Sequence, residues 1–292
     1  MERVITTLSA DEMLGRATFT PGIDKAADFI HQEFVSIGLE TFGELDDYLQ
    51  RFVGYSLQIQ SRRVMLNGIE IPNEQTSADA NAPSVHWVTD DPIEVVVIGP
   101  EEDAGKRIRS IYMSDRNTLV LMSTSHQGFF RRWADELSDA PPAHYLDPPS
   151  GATLVCVLTD EVSATSFQVD VMGSVEQLPL TNVVGMILGR RDDEIVLFGA
   201  SYDGPGIRDP VDGDSIVNGA NDGAAGTTAM IELARYFKAM GEPERTLVFA
   251  ALTGEHVAYL GARYLSRQLD PGRMNRCLGA QAGALYMNPS FH

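Results

Sequence analysis

The chain predicts an α/β protein: a mainly parallel mixed sheet sandwiched by helices, with a β-rich inserted domain. Three observations predict it. Two continuously apolar runs, Glu194 to Ala200 and Thr246 to Leu252, suit strands covered on both faces. Between them, Asp222 to Met240 is helical in pattern and is stopped by Gly241 and Pro243. Strand, helix and strand in that order imply a parallel pair. The stretch 52–178 breaks this alternation with short strand patterns and little helix.

In chain order, Met1 to Gly22 starts polar and ends in the turn Phe19-Thr20-Pro21-Gly22. Asp24 to Gly38 is a helix, with Ala26, Phe29, Ile30, Phe34 and Ile37 on one face and Gly38 as its stop. Tyr48 to Gln60 and Arg62 to Ile71 read as strands, the latter through the hairpin signal Asn67-Gly68. Pro72 to Pro92 is polar and turn-rich, which predicts a loop. Glu94–Gly99, Asn117–Ser123, Thr153–Leu158 and Ser166–Met172 follow as strands, with one helix at Gln127–Leu137. Thr181–Gly189 is a further strand, and Tyr259–Leu269 a last helix before Asp270-Pro271-Gly272. The expected domains are 1–51, the N-terminal part of one α/β domain; 52–178, the insert; and 179–292, the rest of the α/β domain.

The 292 residues carry a formal net charge of -19, from Asp+Glu 41 against Lys+Arg 22. No basic excess is present to displace counterions from a phosphate backbone, so nucleic acid is not an expected partner. No apolar run approaches the ~20 residues of a bilayer span, so no membrane insertion is expected. Met-Glu-Arg-Val lacks an apolar signal core, and the compartment stays open. Cys156 and Cys277 each lie in apolar runs and read as small buried hydrophobes rather than a redox pair. His86, His126 and His144 have no metal-ligand spacing and read as packing residues.

Acidic and imidazole groups recur just past the two buried strands: Asp203 after the first, Glu255 and His256 after the second, and Asp222 where a glycine-rich loop meets the helix. Open α/β sheets bind ligands at such strand ends. On composition alone, Asp222 suits a helix N-cap and a metal-bridging carboxylate equally.

Asn182-Val183-Val184-Gly185, Ser201-Tyr202-Asp203, Asn218 to Gly226, Arg245 to Ala251, Gly254-Glu255-His256 and Leu260 to Tyr264 together resemble the di-zinc aminopeptidase family. That family includes bacterial leucyl aminopeptidases, aminopeptidases S and Y, glutamate carboxypeptidase and glutaminyl cyclase. Gly15-Arg16-Ala17 through Ile30 resembles its N-terminal helix region, and the β-rich middle stands where many members carry a protease-associated insert. The resemblance implies zinc as cofactor and metal-assisted hydrolysis releasing an N-terminal amino acid. It implies Asp222 as bridging carboxylate, Glu255 as general base, and Asp203 as the acid that orients a ligand. Where the family has a His ligand this chain has Ser201, and where it has a Glu ligand this chain has His256. The family's next Asp ligand falls at Ala280-Gln281-Ala282-Gly283, where no Asp stands. Its final His lies farther downstream than His292, so the resemblance implies a frame truncated at its C-terminus, either as a partial product or with a partner chain covering the open edge.

Asp222 and His256 thus remain as ligands, against the three protein ligands of a catalytic zinc. The expected protein is metallopeptidase-like with a degenerate site and impaired or lost catalysis, acting on a peptide or peptide-like ligand if active. The alternatives are a non-catalytic binding module on the same scaffold (a pseudoenzyme) and a single-zinc transferase resembling glutaminyl cyclase.

Overall fold

The computed structural model describes residues 1–269, 274–281 and 284–288. The chain forms two compact units, one from 1–54 and 178–292, the other from 55–177. The long strands Leu49–Leu66 and Phe167–Ile187 each contribute one end to each unit.

In the first unit the sheet runs in the order Ala284–Asn288, Met274–Gln281, Arg191–Ser201, Arg245–Leu252, Phe167–Ile187 and Leu49–Leu66. Arg191–Ser201 is parallel to both Arg245–Leu252 and Met274–Gln281. Phe167–Ile187 meets Arg245–Leu252 antiparallel, and so does Glu40–Thr41 on Gly185 and Met186. The sheet is therefore parallel at its centre and antiparallel at its flank. The helices Glu2–Leu8, Pro21–Ile37 and Ala225–Met240 cover one face. Val4, Leu8, Ile30, Phe34, Met230 and Ile231 pack there against Phe198, Phe249 and Ala251. Leu260–Gln268 lies on the other face, where Leu265 joins Val248, Ala250 and Leu197. Alternate residues of one strand thus enter opposite cores, which is why that strand reads as continuously apolar.

The second unit has a four-stranded sheet in the order Thr76–Asp79, Leu154–Leu158, Thr118–Met122, Glu94–Ile98. The last three are parallel and the first antiparallel. Helices Ala104–Tyr112 and Gln127–Asp139 cover one face through Ile108, Ile111, Phe130 and Trp133. Val64, Val85, Trp87, Val169 and Val171 cover the other.

Several local expectations change. The predicted loop Pro72–Pro92 contains the strands Thr76–Asp79 and Ser84–Val88, because pairing with Leu154–Leu158 and Phe167–Ile187 orders a polar stretch with weak strand propensity of its own. Glu2–Leu8 and Ala104–Tyr112 are helices that the sequence pattern did not mark; Asp103 caps the second, accepting from the Lys106 N–H at 2.9 Å. The helix expected from Asp222 begins at Ala225 instead, since Gly223 sits at φ 89 and interrupts the turn. Cys156 is buried and free.

Candidate functional site

The parallel strands Arg191–Ser201 and Arg245–Leu252 end side by side, with Ser201 opposite Leu252. Their following residues therefore emerge together at the C-terminal ends of these central strands, and the functional side chains come from there.

Asp203 is fully buried, and its carboxylate is held by three donors. The Ser201 hydroxyl donates to Oδ1 at 2.8 Å; the Thr18 hydroxyl and the Glu255 N–H donate to Oδ2 at 2.9 Å each. Charge-assisted bonds of this kind are the strong ones, so Asp203 stitches together the N-terminal segment and both strand ends. Ser201 is also positioned from behind, its carbonyl accepting from the Thr227 hydroxyl at 2.9 Å.

Glu255 faces the same hydroxyl. Burial is the largest influence on its carboxyl and pushes it above the usual carboxylate range. A hydrogen bond with Ser201 opposes this, the Asp203 charge adds to it, His256 opposes it and Asp222 adds to it. The Ser201 hydroxyl thus lies near both acids and donates to Asp203.

Asp222 does not cap the helix. It sits at φ -100, ψ 100 in the kinked turn Ala220–Ala224, with no side-chain cap bond. A Cβ on Gly223 would lie 2.2 Å from the Asp203 carbonyl oxygen, so only glycine lets this turn close onto the strand end. His256 Nε2 is 3.8 Å from Asp222 Oδ2, and both side chains are about half exposed. The two form an open corner, too long for a hydrogen bond.

The turn is fixed from below by Arg16, which is 0% exposed. Its guanidinium donates to the carbonyls of Tyr202 at 3.0 Å, Asn218 and Gly219 at 2.8 Å each, and Asp222 at 3.1 Å, and also to that of Leu8. Burial pulls its pKa down to about 10, against the charges of Asp203 and Asp222, so it remains a cation at neutral pH. On the other side of the site, buried Asn182 accepts from the Thr253 N–H at 3.1 Å and donates to Gln50 at 2.9 Å and the Gly261 carbonyl at 3.0 Å. It holds the loop that carries Glu255 and His256. In the sequence, Arg16 and Asn182 stand out only as parts of the resembling pattern. Thr18 and Thr227 were missed, and no local signal marks them.

Whether these residues fit a catalytic zinc is a matter of donors. Among the described residues, no group of three or more His, Cys, Asp or Glu side chains is placed to hold a metal ion. Asp222 and His256 supply two donors, and the serine at 201 is engaged with Asp203. A catalytic zinc takes three protein ligands and an open position, which the described residues do not provide. Ala282, Gly283 and His292 lie outside the described residues.

Residues 182–278 match the model of peptidase family M28. A probable zinc metalloprotease of Leptosphaeria maculans is 34% identical over 96 residues, covering 33% of this chain and 22% of the relative. One from Pyrenophora teres f. teres is 36% identical over 97 residues, covering 33% and 20%. The match thus spans about a fifth of the length of these curated relatives. Among solved structures, an aminopeptidase from Aneurinibacillus sp. strain AM-1 aligns with 96% of this chain and 69% of its own, at 17% identity and a TM-score of 0.48. The zinc aminopeptidase BSAP from Bacillus subtilis aligns with 96% and 67%, at 16% identity and a TM-score of 0.46.

Residues 182–278 therefore resemble a metallopeptidase family. The family they resemble is M28, and zinc is the metal named for its relatives.

Proposed function

We propose that this chain is a metallopeptidase-like protein whose hydrolytic activity is lost or severely impaired, and whose site serves to bind a peptide or peptide-like ligand. One observation carries the reading: Ser201, standing where the resemblance implies a His ligand, gives its hydroxyl to Asp203 at 2.8 Å. The acid that would orient a ligand instead closes a hydrogen-bonded lock with Ser201, Thr18 and the Glu255 backbone. In this reading Asp222 and His256 are residual metal-facing donors, and Glu255 is the former general base. The raised carboxyl of Glu255 supports that role, since a general base works best with its pKa near the operating pH.

The 55–177 unit is, in the same reading, the protease-associated-like insert. Its interruption of the other unit between residues 54 and 178 supports this.

The test is zinc content of the purified protein together with turnover of aminoacyl-nitroanilides. The expected result is substoichiometric zinc and no turnover above background. Stoichiometric zinc with turnover abolished by Glu255→Gln refutes the proposal. Ser201→His is expected to raise zinc affinity, because it returns a nitrogen donor beside Asp203.

A further inference from the structure

The four-stranded sheet of the 55–177 unit ends at Glu94–Ile98. Among the described residues that strand pairs only with Thr118–Met122, in parallel and in unbroken register from Glu94 opposite Thr118 to Ile98 opposite Met122. At the two ends of the ladder the Glu94 N–H donates to the Asn117 carbonyl and the Ser123 N–H to the Ile98 carbonyl, at 2.9 Å each. Main-chain groups of successive strand residues point to opposite sides in the plane of the sheet. Glu94, Val96 and Ile98 therefore turn theirs toward the neighbouring strand, and the N–H and C=O of Val95 and Val97 face outward. These outward groups stand in a row, about 6.6 Å from one residue to the next of the pair. Natural sheets blunt such an edge with proline, lysine, a bulge or a cover. Glu94-Val95-Val96-Val97-Ile98 has no proline, no lysine and no break in register, and Val95 is 39% exposed. A regular apolar edge of this kind is a template for strand addition.

The surroundings of the edge say what would be added. Val96 and Ile98 join the helix-facing core with Ile108 and Phe130, whereas Val97 packs on the opposite face beside the core of Leu119 and Leu121. At the C-terminal end of the strand, a pocket of about 270 Å³ opens next to Val97. Val97, Pro100, Leu121 and Val162 give it apolar walls, and Asp160 and Glu161 an acidic lip. The Asp160 carboxylate is fixed there, accepting from the Thr124 hydroxyl at 2.6 Å, the Thr124 N–H at 2.9 Å and the Ser123 hydroxyl at 3.0 Å. An extended peptide on the edge turns every second side chain to this face, and the one opposite Val97 meets the pocket. Apolar walls under an acidic lip suit an aliphatic stem with a cationic head, which is arginine or lysine.

Charge also decides between partners. Asp90 and Asp91 precede the strand, and Glu101, Glu102 and Asp103 follow it. Arg107 pairs with Glu102 at 3.1 Å and Arg116 lies 3.9 Å from Glu94, and neither reaches Asp90, Glu101 or Glu161. A second copy of this chain, with its own net charge of -19, would bring like charges together at the edge. A basic segment meets complementary ones.

We propose that the outer edge of Glu94–Ile98 docks an extended, basic segment of a partner protein, which pairs with Val95 and Val97 as an added strand and lays an arginine or lysine in the pocket beside Val97. The inference concerns the 55–177 unit alone and does not rest on the reading of the Ser201 site.

The experiment uses the full chain and a fluorescein-labelled, end-capped heptapeptide in which arginine and threonine alternate. Anisotropy measures affinity, and amide exchange followed by NMR gives the location. Saturable binding at low salt is expected, and the Val95 and Val97 amides, fast to exchange in the free protein, should gain protection with peptide. A fully N-methylated analogue keeps the charge but has no N–H to give, and a peptide with glutamate for arginine keeps the backbone but reverses the charge; neither should bind. Val95→Pro removes an outward N–H without breaking a ladder bond and should weaken binding about tenfold at an unchanged melting temperature. Glu161→Lys, on the exposed lip, should weaken it about threefold. Absence of peptide binding, equal binding of either control peptide, or Val95 and Val97 amides already protected in the free protein overturns the proposal. So does self-association that Val95→Pro abolishes, which assigns the edge to a second copy. Should Val95→Pro fail to fold, amide protection in the wild type and the Glu161→Lys affinity still decide.

Discussion

Removing the Arg16 guanidinium is expected to loosen the floor of the Asp222 turn and to cost a large part of the stability of its unit. All five N–H donors of Arg16 are used, each on a backbone carbonyl, and those carbonyls belong to Leu8, Tyr202, the Asn218–Gly219 pair and Asp222. Arg16→Met keeps much of the volume and removes every donor. A hydrogen bond to a charged group is worth about 1.5–3 kcal/mol, but the carbonyls can relax toward water and the cost of burying the cation disappears. The net loss is expected at about 3–5 kcal/mol, the range found when one partner of a buried charged network is deleted. Arg16→Lys retains the charge but offers three donors without the planar fork, so it should lose roughly half as much. Urea unfolding followed by circular dichroism measures the loss, and hydrogen exchange locates it. Amides of 218–224 should lose protection, while those of the Thr118–Met122 strand keep theirs. A loss below about 1 kcal/mol for Arg16→Met, or unchanged exchange at 218–224, refutes the reasoning.

Other perturbations follow from the same site and its supports. Asn182→Leu strands the Thr253 N–H and the Gly261 carbonyl in the core and is expected to cost about 3 kcal/mol, measured by the same unfolding assay. Gly223→Ala places a Cβ against the Asp203 carbonyl at a φ of 89, so it should destabilise by more than about 1 kcal/mol. Glu255 has a carboxyl raised chiefly by burial, so its ionisation is a cost to the folded state that is absent below the ordinary carboxylate range and grows as pH rises through it. Glu255→Gln should therefore raise the melting temperature at pH 7 and lose that advantage near pH 4. Glu33 behaves oppositely: burial pushes its carboxyl up, but hydrogen bonds and charges from Arg3 and Arg235 outweigh this and hold it low. Its contribution is present at neutral pH and is lost as pH falls through its depressed pKa. Glu33→Gln should accordingly destabilise at pH 7 and become neutral in acid.

The legible part of the fold was the part with a strong period. Helix Pro21–Ile37 announced itself by Ala26, Ile30 and Phe34 on one face and by Gly38, which takes φ 75 at its end. The two central strands announced themselves by unbroken apolar runs, and their parallel pairing followed from the helix between them. Thr76–Asp79 and Ser84–Val88 were not legible, because their order comes from partners some 80 residues away and not from their own composition. Of the site, Asp203, Glu255 and His256 were legible as residues past strand ends and Asp222 as a loop-to-helix residue, and the structure brings them together at the C-terminal ends of the central strands. Whether Asp222 capped a helix was not legible, since the answer lay in the backbone of Gly223.

By itself, then, the sequence determined which strongly periodic segments would be buried strands and helices, and it put a serine at 201 and a histidine at 256. Periodicity and residue chemistry are local, and they can be read in a line. What Arg16 does, how Thr18 and the Glu255 N–H share the Asp203 carboxylate, and what the Ser201 hydroxyl is used for were decided only by the tertiary structure. Those contacts join residues separated by 186, 185 and 52 positions, and they exist only once the closing chain has removed water from between them. Burial then makes each one obligatory, because a polar group taken out of water must find its partner within the protein.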